Sequence, residues 1–306
     1  MVFNYLQAAV QANPGPVPLA CDTKVTVIFL NIRGFLSHQI ELEAFSRNGG
    51  LPTIVGITET FLDASTASIL LSGYVLVSRL DRRVGFEKSG GIALCVREEF
   101  VDSIVHVADS EVHERSWHIL HADIGPLLFG LWYRPPCYGE VQSIVDFEVE
   151  LKTWAAATVG TIVFGDMNVH NIAWLKYSNG TKPEGLMLFK ICARHALLQL
   201  VQHPTREKYL LDLVLSDLGQ LMKVKVLSNI SDYNMVQFEI DTTVHMTANT
   251  KRLCWVWKKA KWSALQNKLR EKNWEALFSG TCADNITEQF TDCILSLAKL
   301  DIPILE

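Results

Sequence analysis

Short apolar runs recur along the chain between residues 25 and 240, and several of them stop at a polar side chain. Runs that are rich in β-branched and aromatic residues are typical of buried strands. The predicted strands cover 25–30, 53–58, 74–78, 92–96, 117–124, 127–132, 161–164, 210–216, 224–227 and 236–240. Helical periodicity covers 38–47, 143–157 and 185–198. This order predicts two packed sheets with helices on the outside.

The two ends of the chain differ from this central part. The stretch Asn13–Pro18 contains three prolines and cannot enter a helix or a central strand, so residues 1–23 are predicted to form a flexible tail. Residues 24–243 are predicted to form one folded domain. Residues 244–306 carry tryptophans on basic helical stretches and predict a short helical connector: Trp255, Trp257, Trp262 and Trp274. Such amphipathic helices are more typical of packing than of DNA binding.

Composition restricts the class of protein. The 306 residues are 49% hydrophobic and 20% charged, which indicates a globular protein with a sizeable core. The formal net charge of −5 does not favour nucleic-acid binding, so a DNA contact would depend on local basic clusters such as the one around Arg79. The seven cysteines form no C-x-x-C pair, which argues against a zinc site or a disulfide framework. Without a signal peptide or an apolar run of membrane-spanning length, we expect an intracellular protein, nuclear or cytoplasmic, that is neither secreted nor membrane-bound.

Acidic and amide side chains follow the predicted strands directly. Asp166 and Asn168 come after the run 161–164, separated from it by Gly165. A carboxylate there can orient or deprotonate a water, and an amide can donate to an anionic oxygen, although Gly, Asp and Asn are also the usual turn residues. Asp212 interrupts an apolar run, and a buried carboxylate needs a hydrogen-bonding partner or a cation. Four acids are therefore predicted to converge: Glu59, Asp166, Asp212 and Asp232.

Six separated motifs resemble those of the endonuclease/exonuclease/phosphatase superfamily, which has the DNase I-like fold and includes the AP endonucleases. They are Asn31, Glu59-Thr60, Tyr133, Gly165-Asp166-Met167-Asn168, Leu211-Asp212 and Ser231-Asp232. Finer details resemble the endonuclease domain of non-LTR (LINE-type) retrotransposon polyproteins: residues 79–91, 133–136, 168–171 with Trp174, and 203–206. The resemblance covers residues 24–243 and implies an α/β (α+β) fold, a four-layer α/β/β/α sandwich followed by the helical connector.

The resemblance also implies roles for individual side chains. Glu59 would hold Mg²⁺, for which Mn²⁺ could substitute, with help from Asn31 and Asp232. Asp166 would deprotonate the attacking water, and Asp212 would assist the leaving group or the metal. The remaining catalytic positions implied are Asn168 and Tyr133, which would hold the phosphate, with Asp232 and Tyr233. The side chains implied to contact DNA or its phosphates are Arg33, Arg79, Arg134, His170, Thr205 and Arg206.

One position departs from the family pattern. The family ends its last motif with Ser-Asp-His, whereas this chain has Ser231-Asp232-Tyr233. A tyrosine can donate one hydrogen bond, but its reference pKa of about 10 excludes the cationic role of a histidine.

Three functions follow from the resemblance. The first is a Mg²⁺-dependent endonuclease that nicks double-stranded DNA to prime reverse transcription, with the reverse transcriptase region of a parent polyprotein as partner. The second is a catalytically impaired remnant that binds DNA or protein, which Tyr233 favours. The third is a phosphatase or lipid phosphodiesterase, against which the retrotransposon-like motifs argue.

Overall fold

A computed structural model describes residues 23–48, 51–66, 69, 71–81, 90–244, 254–274, 278 and 283–305. The predicted N-terminal tail, apart from Thr23, lies outside the described residues, as does the tip of the 79–91 hairpin at 82–89. The chain divides into two compact units, Met1–Ala248 and Asn249–Glu306.

The first unit contains strands and helices in mixed order. Its described strands are β1 (Thr23–Asn31), β2 (Ile54–Thr58), β3 (Tyr74–Leu80), β4 (Ile92–Arg97), β5 (Ile104–Asp109), β6 (Glu114–Ala122), β7 (Gly125–Tyr133), β8 (Gly160–Asp166), β9 (Leu198–Gln199), β10 (Asp212–Ser216), β11 (Met222–Asn229) and β12 (Asn234–Val244). Its described α-helices are α1 (Phe35–Asn48), α2 (Gln142–Ala155) and α3 (Pro183–Arg194), and short 3₁₀ turns cover Glu98–Ser103 and Gly219–Leu221.

These strands form two sheets of six described strands each. The first sheet has the order β11-β12-β1-β2-β4-β3, and the second has the order β5-β6-β7-β8-β10-β9. Each sheet is antiparallel except for one parallel pair, β1 with β2 in the first and β7 with β8 in the second. The carboxyl ends of these parallel strands carry the predicted site residues.

The two sheets pack face to face, and helices cover their outer faces. Phe29 of β1 meets Phe164 of β8 between the sheets, with ring centroids 5.3 Å apart. Phe35 and Leu42 of α1 pack on the outer face of the first sheet. Apolar residues of α2 and α3, such as Phe147 and Leu188, cover the second sheet. The result is the predicted four-layer α/β/β/α sandwich.

Element boundaries differ from the predictions where local backbone geometry decides them. The helix predicted over 185–198 ends at Arg194, because Ala196 adopts the left-handed conformation with φ of 55° and Leu198 then enters β9. Strand β5 was not predicted. Its second residue, the apolar Val105, is 50% exposed, so the sequence lacks the alternation of apolar and polar residues that marks a strand with one buried face.

The second unit is small and mainly helical. It contains α4 (Trp262–Glu271), α5 (Ala283–Asp301), a 3₁₀ turn at Trp257–Lys259 and a two-stranded sheet of β13 (Cys254–Trp255) and β14 (Ile304–Leu305). Leu265, Ala298 and Ile302 form its small core. Among the described residues of the chain, none of the helices has the length and apolar character of a bilayer span.

Candidate active site

Predicted site residues from both sheets meet at one end of the sandwich. Asn31 and Glu59 lie at the ends of β1 and β2, and Asp166 closes β8. The Nδ2 atom of Asn31 donates a hydrogen bond to Oδ2 of Asp166 at 2.8 Å, which joins the two sheets. Asp212 opens β10 and lies directly opposite Asp166 in the antiparallel register. Cross-strand partners project to the same face, so the two carboxylates are neighbours.

A glycine allows β7 and β8 to approach closely just before the site. Gly165 has φ of +138°, and a Cβ built there would lie 2.0 Å from the carbonyl oxygen of Trp132. Any side chain at this position would force the strands apart. Gly165 therefore places Asp166 against the end of β7.

Several site residues hold a left-handed backbone. The φ angles of Arg33, Glu59 and Asn168 are 47°, 52° and 47°. Each of these residues follows the end of a central strand, and a non-glycine residue rarely adopts this conformation. Strain of this kind tends to collect at functional sites.

Asp166 is a buried carboxylate with an incomplete set of partners. Its exposed fraction is 0%, and burial raises its pKa to about 7, with the charge of Glu59 acting in the same direction. The hydrogen bond from Asn31 and the proximity of Asn168 oppose this shift. No described residue donates a well-aligned hydrogen bond to its Oδ1 atom. A carboxylate with a pKa near neutrality is suited to accept a proton.

Asp212 is equally buried and is still less compensated. Burial and the neighbouring charge of Asp166 raise its pKa well above the ordinary value of aspartate, and Thr205 and Arg206 oppose the shift. Neither of its carboxylate oxygens has a well-aligned hydrogen bond from a described residue. The pair therefore favours a state in which Asp212 keeps its proton.

Tyr133 and Asn168 border this pair of acids, and each has a hydrogen-bonding partner in the fold. Tyr133 ends β7 and is 1% exposed, and burial raises its pKa, with the charges of Glu59 and Asp166 adding to the effect. The hydroxyl of Tyr133 therefore keeps its hydrogen, and it forms a hydrogen bond with Glu59. Asn168 donates from Nδ2 to the carbonyl oxygen of Arg134 at 2.9 Å.

The buried acids predict an unusual pH dependence of stability. An acid whose pKa is raised on folding stabilises the protein below its unfolded pKa of about 4, and this contribution is lost as the pH rises through the folded pKa. In EDTA, we expect the Tm to fall between pH 5 and pH 8, and Asp212→Asn to remove much of this fall, because it removes one of two interacting carboxyl groups. Thermal melts of the parent and of Asp212→Asn at several pH values would measure this fall in Tm. Asp102→Asn, which changes an exposed aspartate, is the matched control, and an equal fall in the Asp212→Asn protein would contradict the prediction.

The donor chemistry of the cluster fits magnesium. No group of three or more His, Cys, Asp or Glu side chains among the described residues is spaced to enclose a metal ion. Mg²⁺ does not need such a cage, because it binds through one or two carboxylates, retained waters and substrate phosphates. The candidate ligands are the carboxylate of Glu59 and the amide oxygen of Asn31, which also accepts from the backbone nitrogen of Arg33 at 3.2 Å. Beside them lies a buried carboxylate oxygen of Asp166 that has no aligned donor. A hard cation suits this all-oxygen set.

The fourth predicted acid lies apart from the other three. The side chain of Asp232 is 67% exposed and forms an ion pair with Nη1 of Arg33. Arg33 itself is 42% exposed, and its Nε lies 3.9 Å from Oε2 of Glu59. The structure thus brings Glu59, Asp166 and Asp212 together and places Asp232 at the rim, so its metal-binding role stays a prediction.

Two predicted phosphate contacts are engaged in the fold. Arg134 is 1% exposed, and its guanidinium donates to Ser143, Cys137, Glu140 and Asn168. The guanidinium of Arg79 donates to the backbone oxygens of Asp63 and Thr66 and pairs with Asp81. These contacts shape the loops around the site and leave few donors for a phosphate.

The predicted loop 203–206 borders the buried acids. The hydroxyl oxygen of Thr205 accepts from the backbone nitrogens of Leu211 and Asp212 at 3.2 and 3.1 Å. Arg206 donates from Nη1 to the hydroxyl oxygen of Tyr233 at 2.8 Å. Tyr233 is 1% exposed and feels the charges of Asp166 and Asp212. This loop therefore contacts the acid pair through Thr205 and the last motif through Arg206.

His170 lies further out in the same loop layer. Its Nδ1 atom accepts from the backbone nitrogen of Asn179 at 3.2 Å, and its ring meets Tyr209 edge-on. Burial lowers the pKa of His170, and the charge of Lys182 lowers it further. The imidazole is therefore neutral at pH 7 and suits a hydrogen bond rather than a charge contact.

Glu114 is a site-supporting residue that the sequence prediction missed. It lies opposite Tyr133 in the β6–β7 register, and its Oε2 accepts from the backbone nitrogen of Gly91 at 2.6 Å. Gly91 in turn accepts from the backbone nitrogen of Thr60, beside Glu59. A glutamate at the start of a strand is a weak sequence signal for a site residue, since only the folded structure shows that Glu114 faces Gly90 and Gly91.

Comparison with solved structures relates this fold to known proteins. The endonuclease domain of TRAS1, a telomere-specific non-LTR retrotransposon, is similar to this chain over 71% of the chain and 98% of its own length, with 15% sequence identity and a TM-score of 0.52. At this identity the likeness shows the fold, and it confirms the predicted mixed α/β class with two sheets. A comparison with protein-family models gave no match, and a search among curated proteins gave none either.

Proposed function

We propose that this chain is a Mg²⁺-dependent endonuclease that nicks double-stranded DNA by phosphodiester hydrolysis. The observation that carries the proposal is the meeting of Glu59, Asp166 and Asp212 at one end of a sandwich whose fold is shared with an endonuclease domain. The biological role we propose is to open target DNA for reverse transcription, with the reverse transcriptase region of a retrotransposon polyprotein as partner.

The residues divide the reaction between them. Asp166 orients a water and accepts its proton as the new oxygen–phosphorus bond forms. Asp212, protonated beside the charge of Asp166, donates a proton to the leaving oxygen as the other phosphorus–oxygen bond breaks. Asn168 donates a hydrogen bond to a phosphate oxygen, and so does Tyr133 once its hydroxyl turns from Glu59 to the substrate. Glu59 and Asn31 would hold Mg²⁺, which neutralises charge on the phosphate when bound.

The test is nicking of supercoiled plasmid in Mg²⁺ and in EDTA. We expect nicking in Mg²⁺ only, with Mn²⁺ as an effective substitute. An impaired remnant, the alternative function, would bind DNA without nicking it in either metal. Nicking that persists in EDTA would contradict the role of the metal.

Glu59→Gln tests the proposed metal site separately. Removing one of few charged ligands should raise the Mg²⁺ concentration for half-maximal nicking by roughly tenfold or more. Magnesium titrations of the nicking rate would measure this shift. Glu111→Gln, which changes an exposed glutamate outside the site, should leave the titration unchanged. Identical titrations for the parent and Glu59→Gln would remove Glu59 from the metal site.

A further inference from the structure

We infer that Arg206 and Tyr233 act as one unit, in which the Tyr233 side chain holds the Arg206 guanidinium in place to bind the scissile phosphate. This inference rests on the proposed endonuclease function and adds to it the source of positive charge at the site. Phosphodiester hydrolysis adds negative charge next to acidic side chains, so a fixed cationic side chain facing the phosphate would stabilise the transition state in addition to the metal.

The backbone of Arg206 is fixed between two strands that form the site. Its nitrogen and oxygen both pair with Tyr209, which closes a tight hairpin. The preceding residue, Thr205, binds the backbone of Asp212 through its hydroxyl and accepts from the nitrogen of Asn234 at 2.7 Å through its carbonyl oxygen. Arg206 therefore starts from a position tied to both β10 and β12.

The guanidinium is then oriented by the tyrosine. Its Cζ lies 4.8 Å from the centroid of the Tyr233 ring, and Nη1 donates to the phenol oxygen at 2.8 Å. Within the described residues, Nε and Nη2 of Arg206 have no side-chain hydrogen bond. A stacked, singly bonded guanidinium keeps a planar pair of donors for a phosphate.

Among the described arginines around the site, Arg206 differs in its side-chain partner, which is the neutral Tyr233, whereas Arg33 pairs with Asp232 and Arg134 with Glu140. The guanidinium of Arg134 also donates to carbonyl oxygens of the loop after β7, and the ion pair of Arg33 lies at the rim of the site. The charge of Arg206 reaches the acids directly, since it lowers the pKa of Asp212 against the effect of burial. The residue before Arg206, Thr205, also contacts the backbone of Asp212, so the loop that carries the guanidinium borders this acid.

Tyr233 contributes orientation and a hydrogen bond but no charge. Its hydroxyl oxygen accepts from Arg206, so its own hydrogen is free to donate to a phosphate oxygen. Burial raises the pKa of this phenol, which keeps that hydrogen in place. The permanently charged arginine supplies the positive charge for the phosphate, and the neutral phenol that holds it supplies a hydrogen-bond donor.

The experiment measures kcat and KM for nicking a short DNA duplex in Mg²⁺. Arg206→Ala should lower kcat/KM by about 10² to 10³-fold. Added guanidinium ion, far below the concentrations that unfold proteins, should restore part of the lost activity. It would not do so if Arg206→Ala had damaged the structure of the site instead of removing the guanidinium group. Tyr233→Phe should cost about tenfold, and the double variant should be no worse than Arg206→Ala alone, because residues that act as a unit are not additive.

Controls and contrary outcomes separate this inference from the proposed function. Arg194→Ala, which removes an exposed arginine of α3, should nick normally and ignore guanidinium. A nicking parent whose Arg206→Ala variant keeps half its activity would overturn the inference and leave the function standing. A silent parent that nicks only after Tyr233→His would overturn the inference and would identify the chain as the impaired remnant, which is the alternative function. Silence from both the parent and Tyr233→His would overturn the proposed function and the inference with it.

Discussion

Asp166→Asn is expected to reduce plasmid nicking by about 10³-fold while the protein remains fully folded. A general base contributes about 10² to 10⁴ in rate, and an asparagine cannot accept the proton of the attacking water. The substitution keeps the size of the side chain and the contact from Asn31. It also removes a buried charge beside Asp212, so the Tm in EDTA at pH 8 should equal or exceed that of the parent. Activity and stability would then move in opposite directions.

The chain offers a matched control on the other end of the same strands. Asp217 lies just beyond β10, and its Oδ1 accepts from the backbone nitrogen of Thr161 at 2.8 Å. Asp217→Asn makes the same chemical change away from the acid cluster, so nicking should be unchanged. An Asp166→Asn protein that nicks at more than a tenth of the parent rate would require another base.

Strand-end chemistry made much of this site predictable. Asn31, Glu59 and Asp166 each follow an apolar run whose composition indicates a buried strand, so their position at a sheet edge follows from pattern alone. Asp212 was predictable for a different reason, since a carboxylate inside an apolar run demands a partner. Their convergence was predicted, and the Asn31–Asp166 hydrogen bond and the Asp166–Asp212 register show how it is achieved.

The remaining features depend on contacts that no local pattern encodes. Asp232 was predicted to join the acids, but a loop side chain can turn either way, and pairing with Arg33 keeps it at the rim. The contact of Arg206 with Tyr233 joins residues 27 positions apart in two loops. Loop side chains lack the alternation that assigns strand residues to a face, so such pairs emerge only from the fold.

Glu150→Ala is expected to be the most destabilising of these substitutions. Glu150 on α2 accepts from Nε and Nη2 of Arg115 at 2.7 and 2.8 Å and from Nε1 of Trp117 at 2.7 Å. Arg115 is 0% exposed, so the truncation leaves a buried, unpaired guanidinium between helix and sheet. Breaking a buried pair in this way costs about 3–5 kcal/mol of unfolding free energy. Thermal melts should show a Tm lower by roughly 10 °C.

A neighbouring pair on the same helix provides the control. Glu148 pairs with Arg194, Lys152 and His195, whose side chains are 51%, 61% and 23% exposed. Because water can reach all three partners after Glu148→Ala, the Tm should shift far less than in Glu150→Ala. The stability contributed by the Glu150–Arg115 pair should also depend on pH. Burial alone would raise the pKa of Glu150, but its hydrogen bonds with Arg115 and Trp117 outweigh burial and lower it. An acid with a lowered folded pKa stabilises the protein above its unfolded pKa of about 4.3, and the contribution is lost as the pH falls through the folded pKa.

The stability difference between the parent and Glu150→Ala should therefore be largest at neutral pH and shrink in acid. Strand β6, which carries Arg115 and Trp117, pairs with β7 and so supports Tyr133 at the site. Below its lowered Tm, the Glu150→Ala protein should still nick DNA, which would separate this structural pair from the acids that we propose to be catalytic. Equal Tm values for Glu150→Ala and Glu148→Ala would mean that the Trp132 ring, 4.7 Å from Cζ of Arg115, is enough to hold the buried charge.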